Sequence, residues 1–130
     1  MKRLDVRSTV REEFIDITPR VREEVRRAGV HEGVCVVFCP HTTAGLTVNE
    51  HADPAVAADV LSALARIVPD DAAWTHLEGN APAHVKASLM GSSVQLPIVD
   101  GDLALGTWQG LFLCEFDGPR SRRVWLRFVA

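Results

Sequence analysis

One predicted strand near the carboxyl-terminal end constrains the fold more than any other segment. Residues 107–116 are predicted to form a strand whose two faces are both apolar. Phe112 and Phe116 fall on one face and Leu111 and Leu113 on the other, because successive side chains of a strand point to opposite sides. Such a strand must be covered twice, by helices, by a second sheet or by a partner subunit. The sequence therefore predicts packed layers on both sides of it.

Apolar or β-branched runs separated by turn residues predict the other strands. They cover residues 3–10, 13–17, 33–39, 46–49, 93–99, 103–105 and 122–130. The dipeptide Asp100-Gly101 is typical of a hairpin, and Asp117-Gly118-Pro119 predicts a second tight turn. Because the run 33–39 is wholly apolar, we expect that strand to be buried on both faces.

Three helices are predicted, each from a capping residue, a proline in its first turn and a stop signal. These are Thr18, Pro19 and Gly29 for the first helix, Asp53, Pro54 and Pro69 for the second, and Asn80, Pro82 and Gly91 for the third. A chain of 130 residues is expected to form a single domain over residues 1–130. The element pattern predicts an α+β fold with a mixed or antiparallel sheet as its main layer.

The overall composition excludes several classes of protein. The chain is 47% hydrophobic and 24% charged, which is ordinary for a globular protein. No run approaches the roughly 18 apolar residues of a membrane span, and no apolar stretch follows the charged start as in a secretory signal. A formal net charge of -3 argues against non-specific nucleic-acid binding. We therefore expect a cytoplasmic protein with neither nucleic acid nor membrane as its partner.

The cysteine content agrees with that expectation. Three cysteines are an odd number in a chain with no export signal, so free thiols in a reducing compartment are expected. Cys35 and Cys39 fall on one face of a predicted strand, where we expect them to act as small buried hydrophobic residues.

Three of the five histidines occupy positions where proteins commonly place reactive groups. His41 directly follows an apolar strand, in a loop that continues with Thr42 and Thr43, whereas His76 precedes the third helix and His84 lies one turn into it. Three imidazoles could bind one Zn²⁺ or a similar ion and leave a position open for water or substrate. Three hydrogen-bonded histidines in an interface are an equally good interpretation of the residues alone.

The start of the third helix is a candidate anion site. Gly79 allows the backbone to approach a ligand, and a helix that begins at Asn80 presents free N–H groups and the positive end of its dipole. Arg120 belongs to a cluster of three arginines that could clamp a phosphate. The alternatives are an ordinary helix cap and a charged strand end that prevents edge pairing.

A further candidate is the segment Gly106-Thr107-Trp108-Gln109-Gly110, which places a flat ring and an amide between two glycines. This pairing suits stacking on a planar heterocycle. The alternative is a buried tryptophan that anchors the core.

Five motifs occur along the chain in a recognisable order. They are PHTTAG at 40–45, VNE at 48–50, HLEGNAPAHVK at 76–86, LGTWQG at 105–110 and EFDGPR at 115–120. Together they resemble the YjbQ-like family, which is also described as the secondary thiamine-phosphate synthases, and the resemblance extends from about residue 3 to residue 128.

This resemblance implies a fold, an assembly and an activity. The fold is an α+β, sandwich-like domain with a mixed sheet, and the assembly is a homotrimer whose partner subunits would cover the two-sided strand. The activity is the coupling of a hydroxymethylpyrimidine diphosphate to a hydroxyethylthiazole phosphate with release of pyrophosphate, as a secondary activity. A divalent metal, Zn²⁺ or Mg²⁺, would be bound by His41, His76 and His84.

Joining the resemblance to the residues assigns roles for a small phosphorylated heterocyclic substrate. The expected phosphate-binding residues are Asn80, Gly79, Thr42, Thr43 and Arg120. The expected catalytic residues are Trp108, as a platform for the heterocycle, and Glu50, Asn49 and Gln109, which would orient substrate or solvent. Two alternatives remain, namely a hydrolase that uses metal-bound water and a non-catalytic trimeric protein that binds a metal or a ligand.

Overall fold

The computed structural model describes all 130 residues, which form two sheets and three helices. The strands are β1 (Lys2–Arg7), β2 (Glu13–Asp16), β3 (Gly33–Phe38), β4 (Ala44–Glu50), β5 (Ser93–Val99), β6 (Asp102–Leu103), β7 (Gln109–Glu115) and β8 (Ser121–Val129). The helices are α1 (Thr18–Ala28), α2 (Pro54–Ile67) and α3 (Ala81–Met90). The predicted α+β class with three helices is confirmed.

The strands divide into a large and a small sheet. The five-stranded sheet has the order β1-β8-β3-β5-β6, and the three-stranded sheet has the order β2-β7-β4. Every pairing in both sheets is antiparallel. The strand that was predicted to be apolar on both faces is β7, which lies at the centre of the small sheet.

Both faces of β7 are covered within one chain. Leu111 and Leu113 are fully buried in a cluster that joins residues of both sheets to Val21 and Val25 of α1. On the opposite face a second cluster joins the small sheet to α2 and α3; its buried members are Leu64, Ala83, Ala87, Phe112, Cys114 and Phe116. The prediction that β7 is covered twice is therefore confirmed, and a partner subunit is not needed to cover it.

Strand β3 differs from its prediction, because only one of its faces is buried. Cys35 and Val37 are buried in the larger cluster, whereas Val34 and Phe38 on the other face are 37% and 40% exposed. The prediction of burial on both faces was wrong because no helix of this chain covers the outer face of the five-stranded sheet. The predicted burial of the two cysteines is confirmed, since Cys39 is 1% exposed.

The start of α1 also differs from its prediction. Thr18 lies inside the helix, and Ile17, which occupies the N-cap position, makes no side-chain capping bond. The Thr18 hydroxyl instead accepts a hydrogen bond from the Leu111 N–H at 2.8 Å, and the Thr18 N–H donates to Asp16 Oδ1 at 2.9 Å. The helix ends as predicted at Gly29, which adopts a left-handed conformation with φ 69°.

The predicted punctuation of α2 and of the β5–β6 hairpin is confirmed. The Asp53 carboxylate caps α2 by accepting the Ala55 N–H at 2.9 Å. In the hairpin, Asp100 and Gly101 both have positive φ, at 52° and 78°, as a turn that matches the twist of its strands requires. None of the helices combines the length and the apolar character that a membrane crossing needs.

Candidate functional site

Three separate segments of the sequence meet at one cavity of about 320 Å³, which we call the histidine cleft. The segments are the loop between β3 and β4, the start of α3, and the turn between β7 and β8. The lining residues are Pro40, His41, Thr42, Thr43, Glu78, Asn80, His84, Asp117, Arg120 and Arg122. The fold thus brings together six of the residues that were predicted to bind phosphate or metal. They are His41, Thr42, Thr43, Asn80, His84 and Arg120.

Two of the predicted metal ligands are direct neighbours. The rings of His76 and His84 meet edge to face with their centroids 5.0 Å apart. His84 lines the histidine cleft, and His41 lines the same cleft from the β3–β4 loop. No three His, Cys, Asp or Glu side chains form a group that could hold a metal ion, so the three-histidine centre stays a prediction.

His41 is held by the backbone of β8. Its Nε2 accepts a hydrogen bond from the Arg123 N–H at 2.8 Å. Burial and the positive charge of Arg122 lower the pKa of His41, because both disfavour the protonated ring. His41 is therefore neutral at pH 7.

Asn80 supplies the polar atom of the cleft that most needs a partner. Its Nδ2 donates to Asp117 Oδ2 at 2.9 Å, and its Oδ1 is buried without any hydrogen bond. Since the side chain is engaged with Asp117, it does not cap α3 as predicted. An unpartnered carbonyl oxygen in a cleft that also contains His84, the neighbour of His76, adds an oxygen donor to two imidazoles, and a divalent cation can bind both kinds of donor. Asn80, His76 and His84 therefore fit a divalent metal.

The start of α3 offers an anion fewer donors than predicted. Pro82 has no N–H, and the N–H of Ala83 already donates to the Asn80 carbonyl at 3.0 Å. Gly79 precedes the helix with φ 80°, a conformation that favours glycine, but it does not line the cleft. The exposed hydroxyl-bearing residue of the cleft is Thr42.

A buried ion pair forms the base of the cleft. Glu115 is 0% exposed and Arg122 is 3% exposed. Arg122 Nε donates to Glu115 Oε1 at 2.8 Å, and Arg122 Nη2 donates to Glu115 Oε2 and to Thr43 Oγ1 at 2.8 Å. The Ser8 hydroxyl donates to Glu115 at 2.6 Å. Burial alone would raise the pKa of Glu115, but these hydrogen bonds outweigh it and hold that pKa below its usual value.

The sequence analysis missed this ion pair, although the strand patterns contain a signal for it. Arg122 shares the parity of Val124 and Leu126, so it occupies an inward position of β8. Glu115 likewise ends the apolar strand β7. A charged residue at an inward strand position predicts a buried partner of opposite charge.

The positive charges of the cleft are already compensated. Arg120 Nη2 contacts Asp117 Oδ2 at 3.0 Å, and Arg122 is paired with Glu115. Glu78 forms no ion pair. Glu78 is therefore the one carboxylate of the cleft whose charge no arginine offsets.

The predicted catalytic residues lie elsewhere. They occupy the opposite end of the small sheet and comprise Asn49, Glu50, Trp108 and Gln109. Glu50 pairs with Gln109 at that end, whereas Ala44 pairs with Glu115 beside the cleft. Six residue steps at about 3.4 Å each separate the two ends by about 20 Å. One chain does not bring the two predicted sets together.

The far end has its own arrangement of side chains. Trp108 is 63% exposed, so it does not anchor the core. His51 Nδ1 lies 2.8 Å from Asp16 Oδ2, and the imidazole packs directly against Gly110, where an added Cβ would lie 2.3 Å from His51 Nδ1. The His51–Asp16 pair was not predicted, because its members are far apart in sequence.

Comparisons with known proteins give a consistent result. The model of the family described as "UPF0047 protein YjbQ-like" matches residues 2–130. The chain is 45% identical over 124 residues to UPF0047 protein MJ1081 of Methanocaldococcus jannaschii, covering 95% of this chain and 90% of that protein. It is 42% identical over 130 residues to UPF0047 protein YugU of Bacillus subtilis, covering 99% and 98%.

Solved structures agree. The crystal structure of an uncharacterised YjbQ/UPF0047 family protein from Clostridium acetobutylicum has a TM-score of 0.97 with 49% identity, covering 99% of this chain and 100% of that chain. A YbjQ-like protein of unknown function from Sulfolobus solfataricus has a TM-score of 0.94 with 32% identity, covering 98% and 94%.

These comparisons correct the expected activity. The family and these relatives are described as UPF0047 or YjbQ-like, and the two solved structures as uncharacterised or of unknown function. None of them carries thiamine-phosphate synthase activity in its description, so the assignment of that activity was wrong. The matched residues and the identities do establish the relationship that the five motifs indicated: the chain belongs to the YjbQ-like UPF0047 family.

Proposed function

We propose that the histidine cleft binds a divalent metal ion together with a small phosphorylated molecule. The observation that carries the proposal is the buried, unpartnered Oδ1 of Asn80 in a cleft that also contains His84. A buried acceptor without a partner costs about 1–3 kcal/mol, and a bound cation relieves that cost. Zn²⁺ suits the nitrogen donors best, and Mg²⁺ would rely on the oxygens.

His76, His84 and Asn80 would hold the metal. The edge-to-face contact of the two rings places them side by side, and Asn80 lies four residues before His84, one turn away. Asp117 fixes the Asn80 amide through its hydrogen bond at 2.9 Å. A bound divalent cation would polarise a phosphoryl oxygen and offset its charge.

The charge balance supports joint binding of metal and phosphate. Arg120 and Arg122 are neutralised by Asp117 and Glu115, and Glu78 adds an uncompensated negative charge to the rim of the cleft. An anion is therefore not attracted strongly until a cation is bound. When a divalent cation is bound, the net charge of the cleft becomes positive. Thr42 and Arg120 line the same cleft and would contact the phosphate.

Titration calorimetry with micromolar Zn²⁺ and with inorganic phosphate tests this function. We expect zinc to bind one site per chain, and we expect phosphate to bind measurably only after zinc. His84→Ala should weaken zinc binding by roughly a hundredfold or more, since even residues that only support a ligand contribute about 10–100-fold.

The matched control is His31→Ala, which removes an exposed histidine that does not line the cleft and should leave both affinities unchanged. The proposal is refuted if the unaltered protein binds no zinc, or if His84→Ala binds it as tightly as the unaltered protein does.

The homotrimer is also part of our proposal. The outer face of the five-stranded sheet exposes apolar side chains at Val34, Phe38 and Val129, and Phe38 packs against Trp125 with ring centroids 5.8 Å apart. Contiguous exposed apolar surface is typical of an interface. Sedimentation equilibrium should give three times the 14.2 kDa chain mass, and a monomeric mass would contradict the assembly.

We propose a reducing, cytoplasmic location as well. Cys35, Cys39 and Cys114 are all free and buried, and burial raises the pKa of Cys35 to about 11. Such thiols are protonated and unreactive at neutral pH. Cell fractionation measures the location directly.

A further inference from the structure

The hydrogen bond from Arg123 to His41 sits where the β3–β8 ladder stops. The last β3 residue, Phe38, pairs with Trp125 of β8. Arg123 lies two residues before Trp125, and backbone groups two residues apart on a strand point to the same neighbour. The Arg123 N–H lies beyond the last residue of β3, so no β3 carbonyl faces it. It donates instead to His41 Nε2 at 2.8 Å. The imidazole takes the place of a strand carbonyl.

This contact fixes which nitrogen of His41 carries the proton. A neutral imidazole has one bare nitrogen and one N–H. The backbone N–H of Arg123 can only donate, so Nε2 must be the bare nitrogen and Nδ1 must carry the proton. The ring thus turns a donor, Nδ1–H, away from β8. A metal ion binds an unprotonated ring nitrogen. While Nε2 accepts the Arg123 N–H and Nδ1 carries the proton, His41 has no ring nitrogen free to bind a metal.

We propose that His41 serves the histidine cleft as a hydrogen-bond donor to an oxyanion, through Nδ1–H, and not as the third metal ligand. The proposal rests on the proposed function for the identity of the anion, a phosphate group. It divides the cleft into two sides. The metal belongs to the α3 side, with His84, Asn80 and the adjacent His76, and His41 lines the cleft from the β3–β4 loop.

The division of roles explains why no group of three acidic, thiol or histidine side chains converges on one point. It also fits the buried neighbours of His41. Arg122 donates hydrogen bonds to Glu115 and to Thr43, so it holds in place the β3–β4 loop that carries His41.

Nitrogen-15 NMR of the histidine rings tests the assignment in the unaltered protein. Long-range proton–nitrogen spectra should show the Nδ1–H form for His41. Adding zinc should shift the bare nitrogens of His76 and His84 while His41 keeps its proton. Adding inorganic phosphate to the zinc-bound protein should move the His41 Nδ1–H signal. An Nε2–H form, or loss of the His41 proton when zinc is added, overturns the proposal.

Two variants separate a donor from a metal ligand. The Asn side chain of His41→Asn retains an N–H donor close to the position of Nδ1, and His41→Ala has none. Both should bind zinc within about threefold of the unaltered protein, whereas His41→Ala should lose about tenfold or more in phosphate affinity at saturating zinc, as expected for a lost hydrogen bond to a charged group. His41→Asn should lose less.

The outcomes distinguish this proposal from the proposed function. If zinc does not bind but phosphate still moves the His41 Nδ1–H signal, the proposed metal site is wrong and the assignment of His41 as a donor stands. If zinc binds to His76 and His84 but phosphate leaves His41 unmoved, the metal stands and the donor assignment is wrong. A loss of zinc affinity in His41→Asn as large as that in His84→Ala also overturns the donor assignment.

Discussion

Both ends of the small sheet carry polar side chains, but these side chains bond differently at the two ends. At the far end each polar side chain that was predicted to act on a substrate already bonds to a nearby backbone N–H. Asn49 accepts from Glu50 at 2.7 Å, Glu50 accepts from Ala52 at 2.7 Å, and Gln109 accepts from Gly106 at 2.8 Å. At the cleft end Asn80 keeps a buried oxygen without a partner.

This difference shows that residue type does not establish a site. Short polar side chains beside turns commonly satisfy their own backbone, and a group that is satisfied in this way has little left to offer a ligand. The cleft end differs because long-range partners hold its side chains. The Glu115–Arg122 pair, fully buried, fixes the loop that carries Thr43, and His41 is fixed by the backbone of β8.

The largest effect that this comparison predicts comes from breaking the buried pair. Arg122→Met leaves the Glu115 carboxylate buried, with only Ser8 and the backbone N–H of Asp117 as partners. Removing one member of a buried ion pair typically costs about 3–5 kcal/mol. We expect the free energy of unfolding, measured by urea denaturation at pH 7, to fall by about that amount.

Arg127→Met is the matched control, since Arg127 is an exposed arginine on the same strand and should change stability by less than about 0.5 kcal/mol. The double variant Arg122→Met with Glu115→Leu removes both charges, and apolar replacement of a whole pair is often tolerated. It should therefore be more stable than Arg122→Met alone. Equal losses in Arg122→Met and Arg127→Met would mean that the pair does not support the cleft.

The second prediction concerns pH. In the unaltered protein the pKa of Glu115 lies below its usual value of 4.5, so its stabilising contribution is present above pH 4.5 and is lost as the pH falls through the lower folded pKa. Without Arg122, burial dominates and raises that pKa. Protonation then relieves the folded variant as the pH falls. The stability gap between the two proteins should narrow from pH 7 to pH 4.

Urea denaturation at both pH values measures this gap, and the gap between the unaltered protein and Arg127→Met should stay constant. A gap that widens on acidification would mean that the carboxyl of Glu115 is not the group left unpaired in Arg122→Met.

Much of the fold could be predicted because its signals are local. The Asp53 cap, the Gly29 stop and the Asp100-Gly101 hairpin each depend on a few adjacent residues, and each is confirmed. The two-sided apolar pattern of β7 also identified a strand with two covers, because alternation along a strand maps directly onto its faces. The sequence did not indicate that both covers come from the same chain.

The predictions that failed depend on partners distant in sequence. Thr18 bonds to Leu111 and Asn80 bonds to Asp117, so neither side chain caps its helix, although each residue type is common at caps. For the site, the motifs named both the histidine loop and the start of α3, and residues of both segments line one cleft. They could not separate the far end from it, because spacing along the chain says nothing about which end of a sheet each motif occupies.

The smallest effect provides the sharpest test of the separation between the two ends. Trp108→Ala removes a side chain that is 63% exposed, and it retains the Trp108 backbone carbonyl, which accepts the His51 N–H at 3.0 Å. We expect the free energy of unfolding to change by less than about 0.5 kcal/mol. Trp125→Ala is the control, because Trp125 packs against Phe38 and its loss should cost at least about 1 kcal/mol.

Zinc and phosphate affinities of Trp108→Ala then decide whether the ends act independently. Sites about 20 Å apart in one chain, with no shared partner, behave additively, so both affinities should match those of the unaltered protein. A tenfold loss of phosphate affinity at unchanged stability would contradict that independence. Since the sheet holds the two ends apart within a chain, such a loss would require Trp108 of one copy to lie beside the histidine cleft of another, and dilution below the assembly's dissociation constant should then abolish the difference.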